Sequence, residues 1–191
     1  MPSTFRIPKA TISGPYARLM ATITRRMWGE VPDNAYVYLH HKPVLKAVLG
    51  FENKVRRWDR LDPTLKSLAQ LASAGTIGCS WCLDFGYFLA HNQELDLAKI
   101  RQVPVWRESD AFDDTERAVL GYAEAMSVTP LEVTDEMVAD LIERLGVEAV
   151  VELTQMIALE NMRSRFNSAA GLQAQGYSDV CELPLAVPSN P

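Results

Sequence analysis

Cys79 and Cys82, two cysteines set three residues apart, are the side chains in this sequence whose type and spacing most directly imply chemistry. They lie in Gly75-Thr-Ile-Gly-Cys79-Ser-Trp-Cys82-Leu-Asp84-Phe-Gly86, where a glycine-punctuated turn runs into an apolar stretch. A thiol at a helix start meets the helix dipole and unpaired backbone N–H groups. Both favour the thiolate and can lower its pKa from about 8.5 into a range of roughly 3.5–7.5. Sulfurs at this spacing share one helix face and can close a disulfide with little rearrangement. The pair is also half of a structural zinc site, but such a site takes four ligands. The rest of the chain offers only Cys181 and the adjacent His40 and His41, whose side chains diverge on a helix. Two inert buried thiols are the other alternative. The spacing favours redox chemistry and calls for no metal and no cofactor.

Other polar residues fall near this stretch. Asp84 is either a proton-handling group for the cysteines or a buried carboxylate that pairs with an arginine or caps a neighbouring helix. His91, seven residues on, shares the face of Asp84 and reads as a helix-end residue. Glu160 and Asn161 fall where the last helix turns from apolar to polar along its inner face, with Ser164 and Ser168 continuing it. Such groups line a pocket or bond across helices. Trp81, Tyr87 and Phe88 read as core.

The elements that must position these residues read as helices throughout. Apolar residues recur at three- and four-residue steps from Tyr16 to Met27, ended by Gly29 and Pro32. A second helix starts at Asp33-Asn34 and stops near His41, and a third runs from Pro43 to about Trp58. Asp62-Pro63 caps a fourth, which Gly75 and Gly78 are expected to break. The run from Trp81 to Ala90 is apolar nearly all round, which predicts a central buried helix. A short helix over Leu95–Arg101 and a connector anchored by Trp106 and Phe112 follow. Asp113 to Glu116 and Thr134 open two further helices, and a last long helix carries Val150, Leu153 and Ile157. Beyond Gly171 the chain turns proline-rich and irregular, a tail that could pack on a neighbouring subunit. No strand alternation appears, so the fold class is all-α. The expected organisation is an extended lead-in (1–14), one helical domain (15–172) and an irregular tail (173–191).

Composition fits that picture. The chain has 191 residues, of which 48% are hydrophobic and 23% charged, which suits a single globular domain. A net charge of −5, with no basic tract interleaved with aromatics, argues against nucleic acid as a partner. The N-terminus lacks the apolar core of a signal peptide, and no segment has the roughly 18–20 apolar residues of a membrane helix. Three cysteines do not form a secreted disulfide framework, so the expected compartment is the cytoplasm.

Several segments together resemble the carboxymuconolactone decarboxylase/alkylhydroperoxidase D-like superfamily. Leu61-Asp-Pro-Thr-Leu-Lys-Ser-Leu-Ala leading to Gly78-Cys-Ser-Trp-Cys82 looks like its core, and Trp28-Gly-Glu-Val-Pro-Asp-Asn looks like its entry motif. Thr115-Glu-Arg-Ala-Val-Leu-Gly-Tyr-Ala, Val133-Thr-Asp-Glu, Val151-Glu-Leu-Thr and Asn161-Met-Arg-Ser-Arg-Phe-Asn167 extend the match in order over roughly residues 16–172. The resemblance implies a helical bundle that associates into dimers, trimers or hexamers. It also implies a peroxide or other small-molecule substrate and an external thiol reductant. In the peroxidase members the second cysteine attacks peroxide and the first resolves the sulfenic acid, roles that fall here on Cys82 and Cys79. Those members also place a glutamate twelve residues before the first cysteine and a histidine four after the second. Here Ser67 and Gly86 stand in those places.

The expected activity is therefore that of a thiol-dependent peroxidase or disulfide oxidoreductase with an atypical proton relay, acting through Cys82, Cys79 and Asp84. Competing readings are a lactone decarboxylase, which needs no disulfide, and a non-catalytic redox-sensing or small-molecule-binding oligomer.

Overall fold

The computed structural model describes residues 2–187, and these contain helices and no strand. In chain order they are α1 (Gly14–Trp28), α2 (Asp33–Tyr38), α3 (Lys42–Val55), α4 (Pro63–Ile77), α5 (Ser80–Asn92), α6 (Leu97–Ile100), α7 (Asp114–Ala125), α8 (Asp135–Leu145) and α9 (Val147–Ala170). Short 3-10 turns occupy Val103–Val105 and Tyr177–Val180. The fold is all-α, as the sequence patterning implies.

Local chemistry sets the boundaries. Asp62 accepts the N–H groups of Thr64 and Leu65 while Pro63 fills the first helical position of α4. Asp113 and Glu116 form a reciprocal capping box at α7, and Thr134 caps α8 through the N–H of Met137. Gly75 does not break α4, which runs through it to Ile77. One interior glycine costs only about 1 kcal/mol relative to alanine, and the tertiary packing of α4 outweighs that.

The most central helix is α4 rather than α5. It packs against α9, α7 and α5, and Leu68, Ala69, Leu71, Ala72, Ser73 and Ala74 are buried on nearly every side of it. Leu68, Ala69, Leu71 and Ala72 form the main core with Val119, Leu120, Leu153, Ile157, Ile100 and Tyr87. Full burial of each such leucine or isoleucine contributes about 1.5–3 kcal/mol. Helix α5 lies on one flank of α4, with Leu83, Phe85 and Leu89 only half-buried. Helix α1 buries Ala17 and Ala21, whereas Tyr16, Leu19, Ile23 and Met27 are exposed. Its apolar stripe therefore faces away from the bundle. The described part of the tail packs on its own chain: the Tyr87 hydroxyl donates to the Leu183 carbonyl at 2.5 Å and Ala186 N–H to the Arg101 carbonyl at 2.8 Å.

Candidate thiol site

Gly78 closes α4 in the left-handed region at φ 79°, where a side chain would be strained. The reversal turns Cys79 onto the start of α5 as its N-cap. The Cys79 Sγ accepts the N–H of Cys82 at 3.2 Å, in the place where serine or aspartate usually caps. Cys79 and Cys82 are joined by a disulfide and are only 2% and 7% exposed.

Among the described residues, one polar side chain reaches the pair. Asn167, on the last turns of α9 and fully buried, donates from Nδ2 to the Cys82 Sγ at 3.3 Å. Around it the surroundings are apolar: Ala74, Trp81, Phe88, Ala170, Leu172 and Tyr177 form one buried cluster with both cysteines. The aromatic rings continue as a wall. Trp81 stacks on Phe85 at 5.0 Å, and Phe85 meets Tyr177 at 5.0 Å and Trp28 at 5.2 Å edge to face. A cavity of about 290 Å³ opens at this wall between Trp28, Glu30, Phe88, Tyr177 and Val180. Partial burial, then the neighbouring Asp33, raises the Glu30 carboxyl above its ordinary pKa.

Asp84 serves the loop after α9. Its Oδ2 accepts the N–H groups of Gln175, Gly176 and Tyr177 at 2.8, 2.9 and 3.1 Å. Its Oδ1 accepts the Ser178 N–H and hydroxyl, each at 2.7 Å. The strap is pinned further by Gln175 Oε1, which accepts both Trp81 Nε1–H and Asp33 N–H at 2.7 Å. Thus a carboxylate on α5 fixes the segment that carries Tyr177 over the aromatic wall.

The inner face of α9 carries the remaining polar groups. Asn161 Nδ2 donates to the Ser73 and Ser127 hydroxyls at 3.1 and 3.0 Å, so it bonds across helices. Glu160 is buried and takes the hydroxyl of Ser164 on one oxygen and Arg163 on the other. His91 is half-exposed at the end of α5, with Nδ1 3.4 Å from Asn92 Oδ1. No group of three or more metal-ligating side chains occurs among the described residues.

The two positions where the resemblance places a relay hold no acid or base. A Cβ at Gly86 would sit 3.1 Å from Leu71 Cδ2, because α5 and α4 touch there. Ser67 is half-buried on α4. Asn167 had no assigned role from sequence. It lies within the matched Asn161–Asn167 segment, but the apolar-to-polar drift of α9 points to Glu160, Ser164 and Ser168 instead.

Similarity to known proteins follows the same geometry. The sequence is 33% identical over 169 residues to the uncharacterized Escherichia coli K12 protein YnjA, covering 88% of this chain and 85% of that one. The debrominase Bmp8, solved as a cysteine-to-alanine variant with 2,3,4-tribromopyrrole, superposes with a TM-score of 0.80 at 20% identity, over 93% of this chain and 96% of that one. The alkylhydroperoxidase AhpD core, a peroxidase-related protein from Ralstonia eutropha JMP134, gives 0.78 at 16% identity over 92% and 97%. At such identities these two structures speak for the fold. The profile of the carboxymuconolactone decarboxylase family matches residues 42–125, which span α3 to α7 and include the cysteine pair. The chain belongs to the carboxymuconolactone decarboxylase family.

Proposed function

We propose that this protein is a thiol–disulfide oxidoreductase that passes two electrons from the Cys79/Cys82 pair to a small electrophile, with a peroxide as the leading substrate class. The observation that carries this reading is the buried disulfide at the start of α5 whose Cys82 sulfur accepts the Asn167 amide. A donor aimed at one sulfur stabilises that sulfur most when it is anionic. The Cys79 sulfur also accepts an N–H, that of Cys82 in its own turn. Cys82 is the sulfur that a side chain from another helix reaches, and on that ground we assign it as the nucleophile and Cys79 as the resolving thiol.

The chemistry balances as follows. The Cys82 thiolate attacks the distal oxygen of the hydroperoxide, the O–O bond breaks, and the alcohol leaves with one proton. Cys82 is then a sulfenic acid. The Cys79 thiol attacks the Cys82 sulfur, the S–S bond forms, and water leaves. An external dithiol returns two electrons and two protons. Asp84 is assigned to holding residues 175–178 rather than to proton transfer, since its two oxygens already accept five hydrogen bonds from that segment.

The aromatic rings of Trp81, Phe85 and Tyr177 beside the cysteine pair favour a second electrophile, a halogenated aromatic ring. There the Cys82 thiolate takes the halogen, the ring carbon takes a proton, and Cys79 displaces halide as the disulfide forms. The experiment is turnover with an excess of dithiol. Peroxide loss or halide release should each consume one dithiol per event, and both should disappear in Cys82→Ser. Full turnover by Cys82→Ser would overturn the proposal.

A further inference from the structure

The Cys79–Cys82 disulfide is closed to solvent, its two residues being 2% and 7% exposed. An external dithiol must reach a sulfur to reduce it, so a covering element has to move first. Two segments lie beside the start of α5, and they are held very differently.

The strap of residues 175–178 is pinned from within. The buried Asp84 accepts its backbone N–H groups, and Tyr177 is 5% exposed. The extended N-terminal arm, residues 3–10, runs along the end of α9 instead. Thr4 N–H donates to the Gly171 carbonyl and Arg6 N–H to the Ala170 carbonyl, each at 2.9 Å. Arg6 Nη1 donates to the Ser168 carbonyl at 2.7 Å, and Ser3 Oγ accepts the Gln173 N–H at 3.0 Å. Gln173 Oε1 in turn accepts the hydroxyl of Ser80, the residue after Cys79, at 2.9 Å. Phe5 is half-buried and packs against the buried cluster that includes Ala170, Leu172 and both cysteines. The base of the arm is fastened separately, by Lys9 to Asp33 at 3.2 Å and by Ala10 N–H to the Tyr36 carbonyl at 3.3 Å.

The seat of the arm is specific, yet its closure is weakly held. Gly171 admits the arm only because it lacks a side chain: a Cβ there would lie 2.5 Å from Thr4 Oγ1 and 3.1 Å from Arg6 N. Phe5 holds φ at 48°, in the left-handed region that bulky residues rarely occupy, so the closed arm carries strain that release relieves. Thr4, Arg6 and Ile7 are exposed. Segments with few buried contacts and exposed hydrogen bonds open most easily.

Resting on the thiol reading above, we propose that residues 3–7 are a lid over the thiol site whose release admits the external dithiol. With the lid open, a thiolate of the dithiol attacks one sulfur of the pair, the S–S bond breaks, and the other cysteine leaves as a thiolate that takes up a proton. The second thiol of the reagent then displaces the attacked sulfur and gives up its proton to it. Two electrons have passed to the pair, the reagent is a disulfide, and both cysteines are thiols. The strap keeps its bonds to Asp84 throughout.

The test removes the donors of the arm without touching the bundle. Thr4→Pro with Arg6→Pro deletes both backbone N–H groups, and a residue before proline is driven to extended geometry, so Phe5 loses its closed conformation as well. Each protein carries Cys181→Ser and meets a fixed excess of dithiothreitol. Samples are acid-quenched, freed of reagent and alkylated in denaturant, so that mass reports the thiols formed. Reduction tracks the open population, and the double variant should react at least about tenfold faster than the parent. Thr134→Val, which removes the α8 cap, should react as the parent does. An unchanged rate in the folded double variant overturns the proposal, and so does equal acceleration in Thr134→Val. Should the double variant not fold, hydrogen exchange of the parent decides. The Thr4 and Arg6 amides should exchange faster than those of residues 175–178, and the reverse order refutes the lid. No peroxide is present in either measurement, so failure of the oxidoreductase assignment and failure of the lid give different results.

Discussion

Replacing Asn167 by leucine removes the polar contact to the Cys82 sulfur while nearly conserving volume in a buried site. In the disulfide the Asn167 amide meets a neutral sulfur. After reduction the same donor, 3.3 Å away, meets a thiolate. Hydrogen bonds to charged groups contribute about 1.5–3 kcal/mol, which at about 1.4 kcal/mol per unit corresponds to one to two pKa units. The thiolate pKa of Cys82 should therefore rise by about one to two units in Asn167→Leu. Below both midpoints the thiolate fraction falls roughly ten- to a hundredfold, but a more basic sulfur is a better nucleophile. A Brønsted coefficient of about 0.5 returns half of that loss on a logarithmic scale. The net fall in alkylation rate is about three- to tenfold. The assay is iodoacetamide modification of Cys82 over a pH series, with Cys79→Ser and Cys181→Ser in both proteins and thermal unfolding as the check on folding. A midpoint that stays put in folded Asn167→Leu would refute the claim that this amide activates the nucleophile.

Asp84→Ala orphans the N–H groups of residues 175–178 and should lower stability by about 3 kcal/mol or more, since each unsatisfied buried donor costs about 1–3 kcal/mol; hydrogen exchange at 175–178 should rise first. Asp84→Asn removes a negative charge two residues from Cys82 and should lower its midpoint by about one pH unit; a rise like that of Asn167→Leu would mean that Asp84 handles the proton after all. Gly86→His should destabilise the fold by about 1–3 kcal/mol through overpacking on Leu71, seen as a lower melting temperature, without raising turnover. At Glu152 burial would raise the carboxyl, but the Lys66 ammonium at 2.5 Å and the Arg60 N–H at 2.9 Å outweigh it and hold its pKa low. A carboxyl depressed in the folded state adds stability above its unfolded pKa and loses it as pH falls through the folded pKa. Lys66→Met should accordingly flatten the acid limb of a melting temperature against pH curve, and an unchanged limb would dismiss the pair as a source of acid sensitivity.

Helix starts were legible because caps are local. Asp62-Pro63, Asp113 with Glu116, and Thr134 each carry their reason within four residues. Interior breaks were less so: Gly75 reads as a stop, yet it sits inside α4 because contacts with α9 and α7 override one weak propensity. Amphipathicity located α1 but not its inward face. The stripe from Tyr16 to Met27 faces outward, and the small Ala17 and Ala21 allow the close approach. At the site, the cysteine spacing announced the disulfide. The partners of Asp84 could not be read, because they are backbone N–H groups of a loop ninety residues away, which have no sequence signature.

The absence of a relay on α4 and α5 has a packing cause. Gly86 brings α5 close enough to α4 that even a methyl group would press on Leu71, which is itself 1% exposed at the centre of the core. A histidine at that position would press on Leu71 and force it or the facing backbone to shift, at the cost of about 1–3 kcal/mol expected for overpacking. Close α4–α5 packing and a general acid at position 86 are therefore mutually exclusive in this core. What remains free to approach the sulfurs is α9, whose 24 residues run past both helices and turn from apolar Leu153 and Ile157 to polar Glu160, Ser164 and Asn167. That change of character along one helix brings the Asn167 amide to the Cys82 sulfur. It follows that restoring chemistry at position 86 needs a paired change, Gly86→His with Leu71→Ala, whereas the α9 residues can be altered singly without moving the helix that carries the disulfide.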